Sequence, residues 1–237
     1  MTSFSSSYTR RRLDGTIRVL CPLIEKEIRG RSTRCLSEYD LRRELIGCIL
    51  GSQVRYEMAV DATENLEHAG LLDDAYWFDC KNAGFESRVL EVLLGRGNNR
   101  LHRGSYRFPK VRAKQLAQAR NALARVPLAS RLADSNAPTH LRKSLIADIA
   151  GLGPKQASMF LRNIGKSYDL AILDTHVLRF IDMQGLLPIA EARISTVKGY
   201  EEAERTVIDY AYTLGYPAGY LDWAIWATMK AARELGL

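Results

Sequence analysis

The sequence predicts an all-α protein, and three observations carry that prediction. Along most of the 237 residues, apolar side chains recur at spacings of three and four. Alternating runs of β-branched residues, the signature of strands, are scarce. Glycine and proline fall where the apolar stripes stop. Hydrophobic residues make up 46% and charged residues 26%, the composition of a folded globular chain.

The elements follow in order, about ten helices in all. Residues 1–15 read as a flexible basic N-terminus. Thr16 to Ile28 carries Ile17, Val19, Leu20 and Ile24, with Pro22 in a first turn or at a kink. Asp40 to Leu50 carries Leu41, Leu45, Ile46, Ile49 and Leu50, and Asp40 is a plausible N-cap. Tyr56 to Ala69 is a further helix that Gly70 closes. Phe85 to Leu94 and Arg112 to Ala124 are two more. Between those two lies RGNNRLHRGSYRFPK, with five cations in fifteen residues. It reads as a loop, either a solvated connector or a segment that touches phosphate.

Lys and Arg number 34 against 27 Asp and Glu, a net charge of +7. That excess fits a polyanionic partner without proving one. Cys21, Cys35, Cys48 and Cys80 have neither CxxC spacing nor a neighbouring histidine pair. A zinc site, a disulfide framework and a four-cysteine iron–sulfur cluster are therefore not expected. No apolar run approaches the roughly 20 residues that span a bilayer. The start, MTSFSSSYTRRRLDGT, has no apolar core of a secretory signal. The expectation is a soluble cytoplasmic protein, without a membrane partner and monomeric.

The most informative stretch is Leu145 to Gly165, LIADIAGLGPKQASMFLRNIG. Leu145, Ile146 and Ile149 form one apolar face, and Gly151-Leu152-Gly153 interrupts it. Pro154 suits the first position of a new helix. Ala157, Phe160, Leu161 and Ile164 then give that helix its own apolar face. Two glycines permit positive φ and close approach of another backbone. Leu152 can plug the core between the helices. The N–H groups at the start of the second helix then face outward, where an anion such as a DNA phosphate is favoured. A plain αα-hairpin with a glycine turn fits the same residues.

Lys155 sits in the first turn of that second helix, where the positive end of the dipole opposes its charge. Disfavoured protonation is what amine nucleophilic chemistry requires, though an exposed phosphate-pairing lysine fits as well. Nineteen residues on, an apolar run ends at Asp174, and Val177, Leu178 and Ile181 open another helix. Asp174 is a natural N-cap, accepting backbone N–H bonds that favour its ionised form.

Hairpin, lysine and capping aspartate, GLGPKQAS…FLRNIG…LAILDTHVLR, together resemble the helix-hairpin-helix (endonuclease III-like) DNA glycosylase superfamily. Lys155 matches the catalytic lysine of its bifunctional members. Within the superfamily, the chain is most similar to the short, type 2 8-oxoguanine DNA glycosylase/lyases. That likeness extends to Glu44–Gln53, Gly104–Arg120 and Leu221-Asp222-Trp223-Ala-Ile-Trp226, and it runs from about Asp40 to Lys230. It departs at the basic residues before Asp40, at Gln53, and at Glu234-Leu-Gly-Leu237, where the family often has a lysine.

The resemblance implies two helical lobes with a catalytic cleft between them. One is about 16–57 plus 178–237; the other is about 58–177 and contains the hairpin at about 143–165. It implies Lys155 and Asp174 as the catalytic pair, and Gly151, Gly153, Lys155 and Gln156 as DNA-backbone contacts. Trp226, Trp223 and Asp222 fall at the base pocket, and Gln53 at the gap left by the flipped base. The partner implied is double-stranded DNA with a damaged base, 8-oxoguanine foremost, and the cellular setting is the nucleoid. No cofactor is implied beyond a monovalent cation compatible with hairpin carbonyls. An enzyme for another modified base, in nucleic-acid processing or defence, and a non-catalytic DNA-binding module are the competing readings.

Overall fold

The computed structural model describes residues 7–30, 35–78, 84–95, 106–133, 137–191 and 194–235. Every regular element among them is helical. In chain order these are α1 (Ser7–Gly30), α2 (Glu38–Leu50), α3 (Tyr56–His68), α4 (Asp74–Phe78), α5 (Phe85–Leu93) and α6 (Pro109–Arg125). There follow α7 (Leu128–Leu132), α8 (Pro138–Asp148), α9 (Pro154–Asn163), α10 (Thr175–Met183), α11 (Val197–Leu214) and α12 (Ala218–Glu234). A 3-10 turn covers Ile189–Glu191. No described helix is long and apolar enough to cross a membrane.

The chain divides into two compact units, Met1–Arg34 with Gly165–Leu237, and Cys35–Ile164. The boundaries near 57 and 177 expected from sequence lie elsewhere for a packing reason. α2 packs on α3, α6, α7 and α9, so it belongs with the hairpin. α1 packs on α12, and α10 also packs on α12, so the segment that carries Asp174 belongs to the other unit.

In the first unit, α1 buries Ile17 and Cys21 in a core shared with Phe180, Val207, Leu221 and Ile225. The helix begins at Ser7, nine residues before the Thr16 start expected from periodicity. Asp14 Oδ1 accepts from the Tyr210 hydroxyl, and Gln184 Nε2 donates to the Arg10 carbonyl at 3.4 Å. These bonds fix the first turns to the rest of the unit. Pro22 lies inside α1 and not at its start.

In the second unit, α2 begins one turn earlier than the periodicity suggests. Ser37 is the N-cap, and its hydroxyl accepts from the Asp40 N–H at 3.1 Å. The Asp40 carboxylate in turn accepts from the Ser37 N–H at 2.9 Å. Asp40 is thus the N3 residue of a capping box, not the cap itself. The Glu38 carboxylate accepts from Leu128 N–H and Ala129 N–H, at 2.7 and 2.9 Å, and ties α2 to α7. Gly70, at φ 68°, follows α3 as expected. Cys21, Cys35 and Cys48 are free thiols, and Cys80 lies outside the described residues. Most of the basic loop, 96–105, lies outside them too.

α2 and α3 are bridged by Glu67, which accepts from the Tyr39 hydroxyl at 2.6 Å and from Arg43 Nε at 2.9 Å. Burial works to raise the Glu67 carboxyl, but these two hydrogen bonds, with the charges of Arg43 and His68, outweigh it and hold the group below the ordinary carboxylate value. A depressed carboxyl contributes stability above its unfolded value, lost as pH falls through the folded one. The groups are partly exposed, so the contribution should stay under about 1 kcal/mol. Urea midpoints of wild type and Glu67→Gln should differ at pH 7 and converge by pH 3. An equal difference at both pH values would show that the Glu67 charge contributes nothing.

Candidate active site

The hairpin is built by α8, the five-residue connection 149–153 and α9. Leu145, Ile149 and Leu152 are buried beneath it, with Ala157, Phe160 and Leu161 from α9. Arg142, fully buried on α8, donates from Nη1 to the Ser158 hydroxyl at 3.0 Å and pins the two helices together. Gly151 has φ 92°, the left-handed conformation that glycine alone adopts freely. Gly153 does not: it is the N-cap of α9, at φ −101° and ψ 179°. The expectation that both glycines serve positive φ is corrected here. At Gly153 the constraint is space, because a Cβ would lie 3.0 Å from Gln156 Oε1.

Pro154 opens α9, and no side chain caps it. The N–H groups of Lys155 and Gln156 therefore lack a capping acceptor, as an anion-binding terminus requires. The Gln156 side chain is itself buried, so its contribution to such a site is its backbone N–H. Lys155 is half-buried, and no hydrogen bond or ion pair engages its amino group among the described residues. Cys48, buried on the neighbouring α2, feels the charge of Lys155. Burial pushes that thiol well above its ordinary value and Glu44 adds to the effect, while the charges of Arg162 and Lys155 oppose it. Cys48 thus stays a neutral thiol. Glu44 is held by Asn163, whose Nδ2 donates to Oε1 at 2.7 Å.

Asp174 belongs to the other unit and caps α10. Its Oδ1 accepts from the N–H groups of His176 and Val177, both at 2.9 Å, as expected from sequence. The three residues before it are buried non-helical backbone, and side chains take up their N–H groups. Ala171 N–H donates to Glu204 Oε1 at 3.0 Å, Ile172 N–H to Asp222 Oδ2 at 2.7 Å, and Leu173 N–H to the Tyr200 hydroxyl at 2.9 Å. The Tyr200 hydroxyl donates in turn to the Ala171 carbonyl at 2.9 Å. Asp222 was expected in the base pocket. It is 1% exposed, and its carboxylate holds the backbone that leads into Asp174.

Trp223 and Trp226 are half-buried on α12, neither of them core residues. Lys230 Nζ sits 4.9 Å from the centre of the Trp226 ring. Gln53 is exposed just beyond α2, at φ 61°. The structure thus collects Gly151, Gly153, Lys155 and Gln156 on one turn, with Gln53 in the same unit. Asp174, Asp222, Trp223 and Trp226 belong to the other. No group of three His, Cys, Asp or Glu suited to a metal occurs among the described residues. Sequence reasoning missed Glu204 and Tyr200. Their signal was a carboxylate and a phenol in phase with the apolar stripe Ala203, Val207 and Ala211.

A family model described as 8-oxoguanine DNA glycosylase matches residues 88–216. The chain belongs to this family. The match spans the hairpin, Lys155, Asp174 and Glu204, while Gln53, Asp222 and both tryptophans of α12 lie outside it. Among relatives, the 8-oxoguanine DNA glycosylase/AP lyase of Sulfolobus acidocaldarius is 31% identical over 180 residues, 76% of this chain and 77% of that one. The enzyme of the same name from Metallosphaera sedula is 28% identical over 209 residues, 88% of this chain and 91% of that one. The crystal structure of the Thermotoga maritima 8-oxoguanine DNA glycosylase matches with TM-score 0.68 and 25% identity, over 92% of this chain and 93% of that one. The Methanocaldococcus jannaschii glycosylase/lyase bound to a 15mer DNA containing 8-oxoguanine shares the fold, with TM-score 0.69 at 21% identity over 95% and 98% of the two chains.

Within the family hairpin, the two glycines of this chain should respond differently to alanine. A Cβ at Gly151 would lie 2.9 Å from Ile49 Cγ2 and 3.2 Å from Gln115 Oε1, on a backbone at positive φ. Gly151→Ala should therefore cost about 1–3 kcal/mol. At Gly153 the crowding atom is the far end of one flexible side chain, and the cost should be smaller. Thermal melts of the two variants would decide; equal shifts would mean that the Gly151 conformation is not what the turn depends on.

Proposed function

We propose that the protein is a bifunctional DNA glycosylase/AP lyase that excises 8-oxoguanine from duplex DNA. The observation that carries this reading is an unpaired lysine in the first turn of an uncapped hairpin helix, in a chain of the 8-oxoguanine DNA glycosylase family. The relatives' shared name, 8-oxoguanine DNA glycosylase/AP lyase, supports both halves of the activity.

The target base is stacked in the duplex, so the nucleotide is first extruded. The hairpin N–H groups hold a backbone phosphate, which fixes position without reading sequence. Trp226 and Trp223 offer ring faces to the flipped base. As the glycosidic bond breaks, C1′ gains positive character, and the Asp174 carboxylate stabilises it. The neutral amine of Lys155 forms a bond to C1′, the base leaves with the bonding pair, and a proton from the amine is lost to solvent. Ring opening gives the Schiff base, and loss of a C2′ proton expels the 3′ phosphate. None of these steps calls for a metal or an organic cofactor.

Borohydride should trap wild-type protein on 8-oxoguanine DNA. Lys155→Gln should abolish trapping while lesion binding persists; trapping at the wild-type level would move the nucleophile to another amine. Asp174→Asn separates charge from capping, since asparagine caps about as well as aspartate. It should melt near the wild-type temperature, yet lose on the order of 10²-fold in single-turnover excision. A pre-formed abasic site should be cut with a smaller deficit, because no base has to leave. Excision by Asp174→Asn at close to the wild-type rate would reduce Asp174 to a helix cap.

A further inference from the structure

Gln53 is the one non-glycine residue in the left-handed region among the described residues. For a side chain without a local cap to gain, that conformation is disfavoured and persists only when its surroundings impose it. The surroundings here are specific. Two carbonyls of the turn that leads into Gln53 are gripped from α6 and the segment before it. The Tyr106 hydroxyl donates to the Leu50 carbonyl at 2.6 Å, and Arg112 Nη2 donates to the Ser52 carbonyl at 2.9 Å. The Ser52 carbonyl and the Gln53 nitrogen share one peptide plane. Fixing that oxygen fixes the plane from which Gln53 departs.

Arg112 does more than hold this oxygen. Its Nη1 donates to Gln115 Oε1 at 2.6 Å. That same Oε1 lies against Gly151, 3.2 Å from where a Cβ would stand. Arg112 is 6% exposed and Tyr106 1%, so neither competes with water for these bonds. One chain of contacts thus runs from the hairpin turn through Gln115 and Arg112 to the Ser52 carbonyl and Gln53.

We infer that Arg112 is a positioning residue: it sets the Gln53 side chain for insertion where the flipped base was, in fixed register with the phosphate grip of the hairpin. The inference rests on the proposed function and on Gln53 as the inserted residue. Arg112 touches neither the sugar nor the base. It acts through Gln53, by making the phosphate site and the inserting side chain parts of one rigid frame.

A duplex with 2-aminopurine beside 8-oxoguanine reports opening of the stack, followed by stopped-flow fluorescence. Gln53→Ala should slow the fluorescence rise. Arg112→Ala should slow it on the order of 10-fold to 10²-fold, the scale of an ångström misplacement, while affinity for undamaged duplex changes less than about two-fold. The double variant should be no slower than the slower single one, because both changes remove the same event. Losses that multiply would show that Arg112 acts through general structure and overturn the inference, as would opening by Arg112→Ala at the wild-type rate. If Arg112→Ala does not fold, Arg112→Lys, which keeps a cation but cannot donate to the Ser52 carbonyl and Gln115 Oε1 at once, runs through the same cycle with the same criteria. A wild-type protein that binds the lesion duplex without opening or excising it overturns the proposed function and this inference with it. A wild type that excises, with multiplying losses, overturns this inference alone.

Discussion

Backbone that is neither helical nor in contact with water must have every N–H and C=O taken up by something else. That requirement governs both units. Around Asp174, three successive N–H groups, Ala171 to Leu173, are taken up by the side chains of Glu204, Asp222 and Tyr200. In the other unit the need is for donors, and buried arginines supply them. Arg42 Nη2 donates to the Leu72 carbonyl at 2.7 Å, Arg120 Nε to the Trp77 carbonyl at 2.8 Å, and Arg112 to that of Ser52. A buried group left unpaired costs about 1–3 kcal/mol. Exposed ion pairs such as Lys198 with Glu202 are worth 0–1 kcal/mol. The placement of Asp174 and Gln53 thus depends on the buried polar clamps far more than on surface pairs.

These clamps also explain what was legible in the sequence. Helices, the hairpin and the Asp174 cap depend on neighbours within a turn or two, and local pattern finds them. Gly70 after α3 and Pro154 opening α9 are cases of this kind. The clamps join residues far apart in sequence, such as Ile172 with Asp222, and no local pattern contains them. Asp222 was read as a pocket residue because it stands beside two tryptophans in a motif, whereas its carboxylate faces inward to a backbone N–H. The division into units was illegible for the same reason: periodicity shows that α2 has an apolar face, not that the face meets α9.

The buried arginines left a weak trace. Arg42 is in phase with Leu45, Ile46 and Ile49; Arg112 with Leu116 and Ala119; Arg142 with Leu145 and Ile149. A cation on an apolar stripe either snorkels to water or meets a buried acceptor. Here the second holds, which bears on the charge argument. Arg42, Arg112, Arg120 and Arg142 are buried, so those members of the basic excess are committed to the interior. The formal charge of +7 is therefore an indirect guide to the charge a DNA backbone would meet.

Residue type alone does not separate structural residues from the proposed site residues in this chain. Asp222, Glu204 and the buried arginines look like active-site groups by residue type, yet each completes a hydrogen bond the fold needs. Lys155, Gln53 and the start of α9 do the opposite. A cation in the first turn opposes the helix dipole. A glutamine at φ 61° occupies a conformation it gains nothing from locally. The uncapped start of α9 is not distinctive by itself: α3, α5, α6, α8 and α12 also begin without a capping side chain, and α6 opens with Pro109-Lys110 as α9 opens with Pro154-Lys155. It counts through its place in the family hairpin. All three lie in the unit Cys35–Ile164, with the Gly151 turn and the Arg112 contacts linking Gln53 to the hairpin. Under the proposed function, a phosphate would lie against the α9 donors, a sugar against Lys155 and an opened base stack against Gln53.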